Sequence, residues 1–336
     1  MKIINPNVEI LEQLPGIEGI YKQIEKAGRT CYKSEDNITE DSAKKFVNRM
    51  INSGHNSVLE HGTVYLTFDV KYGIKFKFIE DEIENNNKIA ICGFYKENKY
   101  SSVNIKIINN YQNVVRYFIT TNYRVVFNHN LDDLKYITEP TEHHERRITM
   151  KFTTNLGVTR EGNRHRVNSI SEESTRFCNY DKDKFGKQIT YLKAQWIKDE
   201  DVDIISKLER LDLLQEIIGD ILSDYKHDTI NYCTNPVKVY GAAIKFVEIC
   251  YHLLIKLGWT PEKAREVLAI ATKTDIVYTA FASDWNHFFN LRLFGETGTP
   301  HPNMEEVCEI AKHKLVDNDL WKLIYPNGDP DEHIVK

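Results

Sequence analysis

Apolar positions along the chain recur with helical and strand periods in turn, and that alternation suggests the architecture. After a strand-like start over Met1-Lys2-Ile3-Ile4-Asn5, the residues Ile17, Ile20, Tyr21, Ile24 and Ala27 fall at 0, +3, +4, +7 and +10. That spacing predicts an amphipathic helix closed by Gly28. A second helix is predicted from a Thr39 cap through Ala43, Phe46, Val47, Met50 and Ile51 to Gly54. Val64, Leu66, Phe68 and Val70 then alternate with polar residues as a half-buried strand. Residues 71 to about 113 are rich in Lys, Asn and Tyr with short alternating runs such as Val103-Asn104-Ile105-Lys106-Ile107, which predicts a β-hairpin-like insertion with flexible tips. Strands follow over 116–121 and 147–154, with a short helix opening at Asn122-Tyr123-Arg124 and a polar connection over 131–145 between them.

The second half of the chain reads in the same way. The strand at 148–154 leads through Asn155 into a helix carrying Arg160, Glu161 and Arg164, and a further strand is predicted over 189–196. A charged helix over 200–226 turns Ile204, Leu208, Leu211, Leu214 and Ile218 inward. After a turn at Asn235-Pro236, the most hydrophobic helix runs over 239–257 to Gly258. Thr260-Pro261 opens another helix, 274–281 is β-branched and aromatic, and Ser283-Asp284 caps a helix ending near Arg292. A loop over 295–302, a helix over 304–315 and a docking or disordered tail complete the chain. The pattern predicts an α/β (α+β) fold: a central, mainly antiparallel sheet flanked by helices. The expected organisation is one domain over 1–336 with a β-rich insertion at about 71–145 and a helical one at about 200–236.

Composition narrows the function. With 336 residues the chain buries a substantial core. A net charge of −5 with no block of like charges argues against nucleic acid as a partner and for a small ligand met by local positive charge. No apolar run reaches membrane-spanning length, so no membrane association is expected. The six cysteines are scattered with no C-x-x-C pair and read as reduced thiols of a cytoplasmic protein; none follows a proline. His143-His144 suggests a metal, but no third ligand lies at helical or hairpin spacing, so none is expected.

One stretch concentrates the chemistry: Arg164-His165-Arg166-Val167-Asn168-Ser169-Ile170-Ser171-Glu172-Glu173-Ser174-Thr175-Arg176-Phe177. Its arginines offer planar forks that match phosphate and carboxylate oxygens two at a time. Val167, Ile170 and Phe177 at helical spacing would face inward, leaving the polar residues on a cleft. Ser169 and Glu172 match a capping box whose helix start would aim N–H groups at an anion. On residue types alone, a solvated, salt-bridged helix explains the stretch as well.

The stretch resembles the signature of the flavin-dependent thymidylate synthases, Arg-His-Arg-x-x-Ser-x-(Asn)-x-x-Ser-x-Arg-(Tyr/Phe), at Arg164, His165, Arg166, Ser169, Ser174 and Arg176. Ser171 replaces the usual Asn, and Phe177 stands where Tyr is commoner. His55-Asn56-Ser57-Val58-Leu59-Glu60-His61 resembles the family's second motif, and Arg29-Thr30-Cys31-Tyr32 a weaker one. Ala264-Arg265 and the segment from Trp285 to Arg292 resemble two more, although Ala269 replaces a proline, and Phe281 and Ser283 replace the Asn and Arg that touch flavin in relatives.

The resemblance implies reductive methylation of dUMP to dTMP with FAD, reduced by NADPH, and methylenetetrahydrofolate as carbon donor, in a homotetramer with shared sites. It implies Ser57, Arg164, His165, Arg166, Glu172, His287 and His55 on the flavin. Glu161, Arg164, Glu172, Glu173, Ser174, Thr175, Arg176, Arg265 and Arg292 fall on the nucleotide, with Glu161 and Arg164 approaching from the neighbouring chain. Arg292 and Ser174 are the catalytic candidates, Arg292 favouring ionisation at N3 of the uracil. Two other readings stay open: a sister enzyme that hydroxymethylates or acts on UMP, and a nucleotide- or flavin-binding protein without turnover.

Overall fold

The computed structural model describes residues 1–73, 78–109 and 113–330. In chain order the strands are β1 (Lys2–Ile4), β2 (Asn7–Ile10), β3 (Thr63–Lys71), β4 (Ser102–Asn109), β5 (Val114–Asn122), β6 (Arg147–Asn155), β7 (Ser169–Glu172), β8 (Thr190–Leu192) and β9 (Lys273–Phe281). The helices are α1 (Gly16–Thr30), α2 (Ser42–Asn52), α3 (Ile79–Glu97), α4 (Tyr123–His129), α5 (Leu156–Gly162), α6 (Asp199–Ser206), α7 (Leu211–His227), α8 (Pro236–Lys256), α9 (Pro261–Ala264), α10 (Ala282–Arg292), α11 (Pro302–Asp317) and α12 (Trp321–Ile324).

The fold is α+β with antiparallel sheets flanked by helices. In place of one central sheet there are two, of order β2-β6-β9-β7 and β3-β5-β4, with a parallel β1-β8 pair beside them. β6 and β9 pair along their whole length, from Arg147 opposite Phe281 to Asn155 opposite Lys273. Their inward faces carry Ile148, Met150, Phe152, Ile276 and Tyr278, which join α10 and α11 in one aromatic-rich core. Trp285, Phe288 and Phe289 of α10 fall at 0, +3 and +4 and are all buried there, and the Trp285 indole donates to the Ile148 carbonyl at 3.0 Å. The tail docks on this core as well: Trp321 of α12 packs edge-on to Phe289, and residues 331–336 lie outside the described part.

Several sequence expectations need correction. Residues 79–97 form a helix where a hairpin-like insertion was predicted. Ile91, Cys92 and Tyr95 anchor α3 in the core, and the Asn85 amide bonds both backbone groups of Lys71 at 2.8 and 2.9 Å. The alternating run at 103–107 does form β4, hairpin-paired with β5; the expected flexible tips fall at 74–77 and 110–112, outside the described residues. The charged helix over 200–226 breaks at 207–210 into α6 and α7, and Leu211 is exposed. Asp41, not Thr39, precedes α2. Phe281, which has no polar side-chain atom, precedes α10 in the cap position, and the Ser283 hydroxyl donates to Glu145 instead.

The largest correction falls on the signature. Residues 169–172 are a strand, β7, paired antiparallel with β9, so Ser169 and Glu172 make no capping box. Val167 and Phe177 are exposed, not turned inward. Ser169 and Ser171 are the buried pair because both find polar partners: Arg147 donates to Ser169 at 3.1 Å, and Ser171 shares a 2.9 Å hydrogen bond with His61.

Candidate functional site

Arg292 sits at the end of α10 on the same face as Trp285, seven residues on, so its stem packs while its head reaches across to α5. Its Nε donates to Nε2 of His165 at 3.3 Å, one terminal nitrogen to the Glu161 carboxylate at 3.2 Å, and the other to the Glu161 carbonyl at 3.2 Å. Glu161, a nucleotide candidate, braces Arg292 within its own chain. A guanidinium carries five N–H donors, and the three contacts leave two for a ligand. His165 accepts at Nε2, and burial together with the charge of Arg292 and the neighbouring His287 holds its pKa down at about 4. It is therefore neutral at working pH, with its proton on Nδ1. Its ring lies on Phe288 at 4.8 Å and beside His287 at 5.7 Å.

Glu172 ends β7 next to this group. Burial pushes its carboxyl pKa up, against hydrogen bonds from Thr159, Thr274 and Asn163. The Tyr278 hydroxyl donates to Asn163 at 3.0 Å and passes so close to Gly162 that a Cβ there would lie 2.4 Å from it. Glycine at 162 is what lets Tyr278 and Asn163 meet behind the Arg292–Glu161 pair.

A second group lies after β7. The Ser174 amide donates to the Cys31 carbonyl at 2.9 Å, which ties the signature to the turn after α1. Arg265, just past α9, donates to the Thr175 hydroxyl at 3.4 Å, and Arg176 pairs with Glu262 of α9 at 2.7 Å. Arg265 also lies 3.7 Å from Glu266, so Thr175, Arg176 and Arg265 form one patch whose two arginines each sit beside a carboxylate. Phe177 packs on Tyr32 at 5.4 Å, and the Tyr32 hydroxyl lies 3.4 Å from Nδ1 of His55, which brings the second motif to the edge of the signature. Cys31 and Cys178 flank this region, and burial pushes both thiols up, Cys178 to about 12, so neither supplies a thiolate at neutral pH.

Not every candidate joins these groups. Ser57, Arg164 and Arg166 are exposed, and their side chains make no hydrogen bond or ion pair among the described residues. Glu173 is buried 2.9 Å from Lys273 and 3.5 Å from Lys33, with Asp275 paired to both lysines. It belongs to an internal charge cluster and not to the open surface. A cavity of about 360 Å³ lies elsewhere, bordered by residues such as Leu14, Tyr65, Arg146 and Leu320 and by none of the candidates. His144 is bound to Thr67 and the Leu66 carbonyl, and His143 lies on Lys106. Among the described residues no three His, Cys, Asp or Glu gather as for a metal, and no helix is long and apolar enough to cross a membrane.

The sequence reading passed over His61. Fully buried, it links Thr279 at 2.8 Å to Ser171 at 2.9 Å, and burial, reinforced by the charge of Arg147, lowers its pKa to about 3. Ser171, the departure from Asn, is this neutral imidazole's partner. Phe281 and Ser283 are likewise occupied, by the Arg147 guanidinium above the Phe281 ring and by Glu145. Whether the residues suit a large anionic cofactor can be judged from Asn168 and Asn56. Both side-chain polar atoms of buried Asn168, and the amide oxygen of Asn56, have no partner among the described residues. With unpaired Arg164, Arg166 and Ser57 beside them in sequence, the two motifs present donors and acceptors left open to something outside the chain, and they fit such a group.

The chain matches the family model described as thymidylate synthase complementing protein over residues 14–74 and 100–315; the break falls across α3. No curated protein matches it. Solved structures similar to it include a UMP/dUMP methylase, PolB, from Streptomyces cacaoi, bound with 5-Br dUMP, at 14% identity over 94% of this chain and 93% of that one, TM-score 0.38. Another is Thymidylate Synthase X from Helicobacter pylori with FAD and dUMP, at 13% identity over 95% and 99%, TM-score 0.36.

Proposed function

Because the chain belongs to the thymidylate synthase complementing protein family, we propose that it methylates C5 of a uracil nucleotide, converting dUMP to dTMP with methylenetetrahydrofolate as carbon donor and NADPH as reductant. The observation that supports this best is the Arg292–Glu161–His165 assembly: a permanently charged fork, braced on two sides, with two N–H groups unspent. Held on the uracil, such a fork favours the N3-deprotonated ring and raises electron density at C5 without a cysteine addition. Neutral His165 contributes no competing charge. In this reading Arg176 and Arg265 hold the nucleotide phosphate, with Ser174 and Thr175 between them, and Glu172 takes a sugar or base donor. Glu173, buried among lysines, positions the end of β7 and does not touch the nucleotide.

FAD, when bound, supplies the hydride chemistry. Arg164, Arg166, Ser57, His55 and His287 are the residues that would hold it, together with His165, and the unpartnered Asn168 amide would add a further contact. The Arg164 and Arg166 side chains have no partner among the described residues, which supports a flavin site shared between subunits, in this reading those of a homotetramer. The test is spectroscopic. The purified protein is expected to be yellow, and dUMP is expected to perturb its flavin absorbance. Arg164→Ala and Arg166→Ala are expected to lose flavin while the secondary structure stays intact. A colourless protein that gains no flavin on incubation with FAD overturns the reading.

A further inference from the structure

Under the end of β7 lies a cavity of about 300 Å³ that the nucleotide reading does not use. Lys2, Lys33, Lys184 and Lys273 reach it together with the Tyr180 side chain, and Glu173 is the one acidic residue on its wall. Asp275, behind that wall, pairs with Lys33 and Lys273. Four cations against two carboxylates leave two charges unmet, and they are identifiable: Lys2 and Lys184 pair with no carboxylate among the described residues. Lys184 is held in place by the carbonyls of Lys33 and Tyr32. Cations drawn around a volume of this size create a local potential that attracts an anion.

We propose that this cavity is an accessory site for a small oxyanion of the phosphate class, free or carried on a nucleotide, separate from the Arg176–Arg265 patch. Its floor is preformed by the Glu173, Asp275, Lys33 and Lys273 cluster, and its mouth by the two lysines without acidic partners. Its position matters for the reaction site. Lys184 grips the backbone of Tyr32, whose ring carries Phe177 and whose hydroxyl meets His55, so an occupant gathers the turn that borders the signature. The cluster also gives the site a signature of its own. Burial holds Lys273 down to about 8, with Glu173 opposing the shift and Lys33 adding to it; Asp275, Tyr180 and Cys178 are the other groups around it. An oxyanion entering near pH 8 keeps Lys273 charged and so binds with proton uptake, which arginines at the other patch do not give.

The experiment is calorimetry on the full chain at pH 8, in two buffers of different ionisation heat, with inorganic phosphate, pyrophosphate and AMP as probes. Saturable binding with net proton uptake is expected. It should weaken roughly tenfold or more in Lys2→Gln/Lys184→Gln, as loss of charge-assisted contacts requires, and stay unchanged in Arg176→Ala. Both lysines are exposed, so the double variant should fold; if thermal unfolding shows otherwise, Lys184→Gln alone serves, with a smaller loss expected. Binding of the inorganic anions identifies the free species as occupant, and binding of AMP alone, with the same lysine dependence, identifies a nucleotide phosphate. No saturable binding by any probe, equal affinity in the lysine variant, or loss in Arg176→Ala instead overturns the proposal. None of these outcomes depends on methyl transfer.

Discussion

Replacing Arg292 with lysine separates charge from geometry at the centre of the proposed site. Lysine keeps the positive charge but cannot reproduce a planar fork that addresses His165 at 3.3 Å, the Glu161 carboxylate at 3.2 Å and the Glu161 carbonyl at 3.2 Å simultaneously. The Arg292 and Glu161 side chains are 19% and 30% exposed, so solvent screens their pair. The cost to stability is accordingly about 1 kcal/mol, a shift of a few degrees at most in Tm. The cost to catalysis is larger, because a misaimed donor no longer meets the charge that develops on the uracil; turnover should fall on the order of 10²-fold or more. Thermal unfolding, flavin absorbance and single-turnover product yield measure the three quantities on one preparation. Near-wild-type turnover with flavin still bound would falsify the role given to Arg292.

Other expectations follow from the same geometry. Arg176→Ala and Arg265→Ala should each weaken dUMP binding by roughly 1.5–3 kcal/mol, with Arg176 nearer the lower end because its 2.7 Å pair with Glu262 competes more strongly than the 3.7 Å pair of Arg265 with Glu266; unchanged affinity in both places the phosphate elsewhere. Gly162→Ala forces its Cβ onto the Tyr278 hydroxyl and should cost about 1–3 kcal/mol of stability by urea unfolding, so a neutral result means that the Tyr278–Asn163 contact yields freely. His61 has a folded pKa of about 3, below the ordinary value near 6.5. The unfolded chain therefore takes up a proton that the folded chain refuses, and stability should fall as pH drops from about 6.5 toward 3, by up to roughly 1.4 kcal/mol per pH unit. His61→Gln should remove that share of the slope and leave the parts due to His165 and His144, whose burial lowers their pKa values as well; an unaltered slope would mean that His61 titrates normally.

The elements most legible in the sequence were those whose burial is decided locally. α1, α8, β6 and β9 carry their own apolar period, and Asn122 and Asn155 announce α4 and α5 by capping them, at 3.0 and 2.9 Å. The placement of Arg292 was legible for the same reason, as the polar end of a face begun by Trp285. The signature strand was not. Val167, Ile170 and Phe177 satisfy a helical period by coincidence, whereas β7 exists because Ser169 and Ser171 meet Arg147 and His61 from other segments. No local pattern reports such partners. α3 was missed in a similar way: its asparagines and lysines read as loop, yet Asn85 clamps the end of β3 and Tyr95 bonds Asp133 at 2.8 Å. The burial of Glu173 was not legible either, because Lys33 and Lys273, which draw its carboxylate inside, lie far from it in sequence.

The claim that this chain methylates dUMP is tested most directly by the mass of what it makes. Wild-type protein reconstituted with FAD would be incubated with dUMP, methylenetetrahydrofolate and NADPH, and the nucleotide product analysed by mass spectrometry, with UMP in a parallel reaction. The expected result is conversion of dUMP to a species with the mass and fragmentation of dTMP, dependent on all three components and lost in Arg292→Lys. Recovery of unchanged dUMP from flavin-loaded protein, a hydroxymethylated product, or turnover of UMP alone would contradict it.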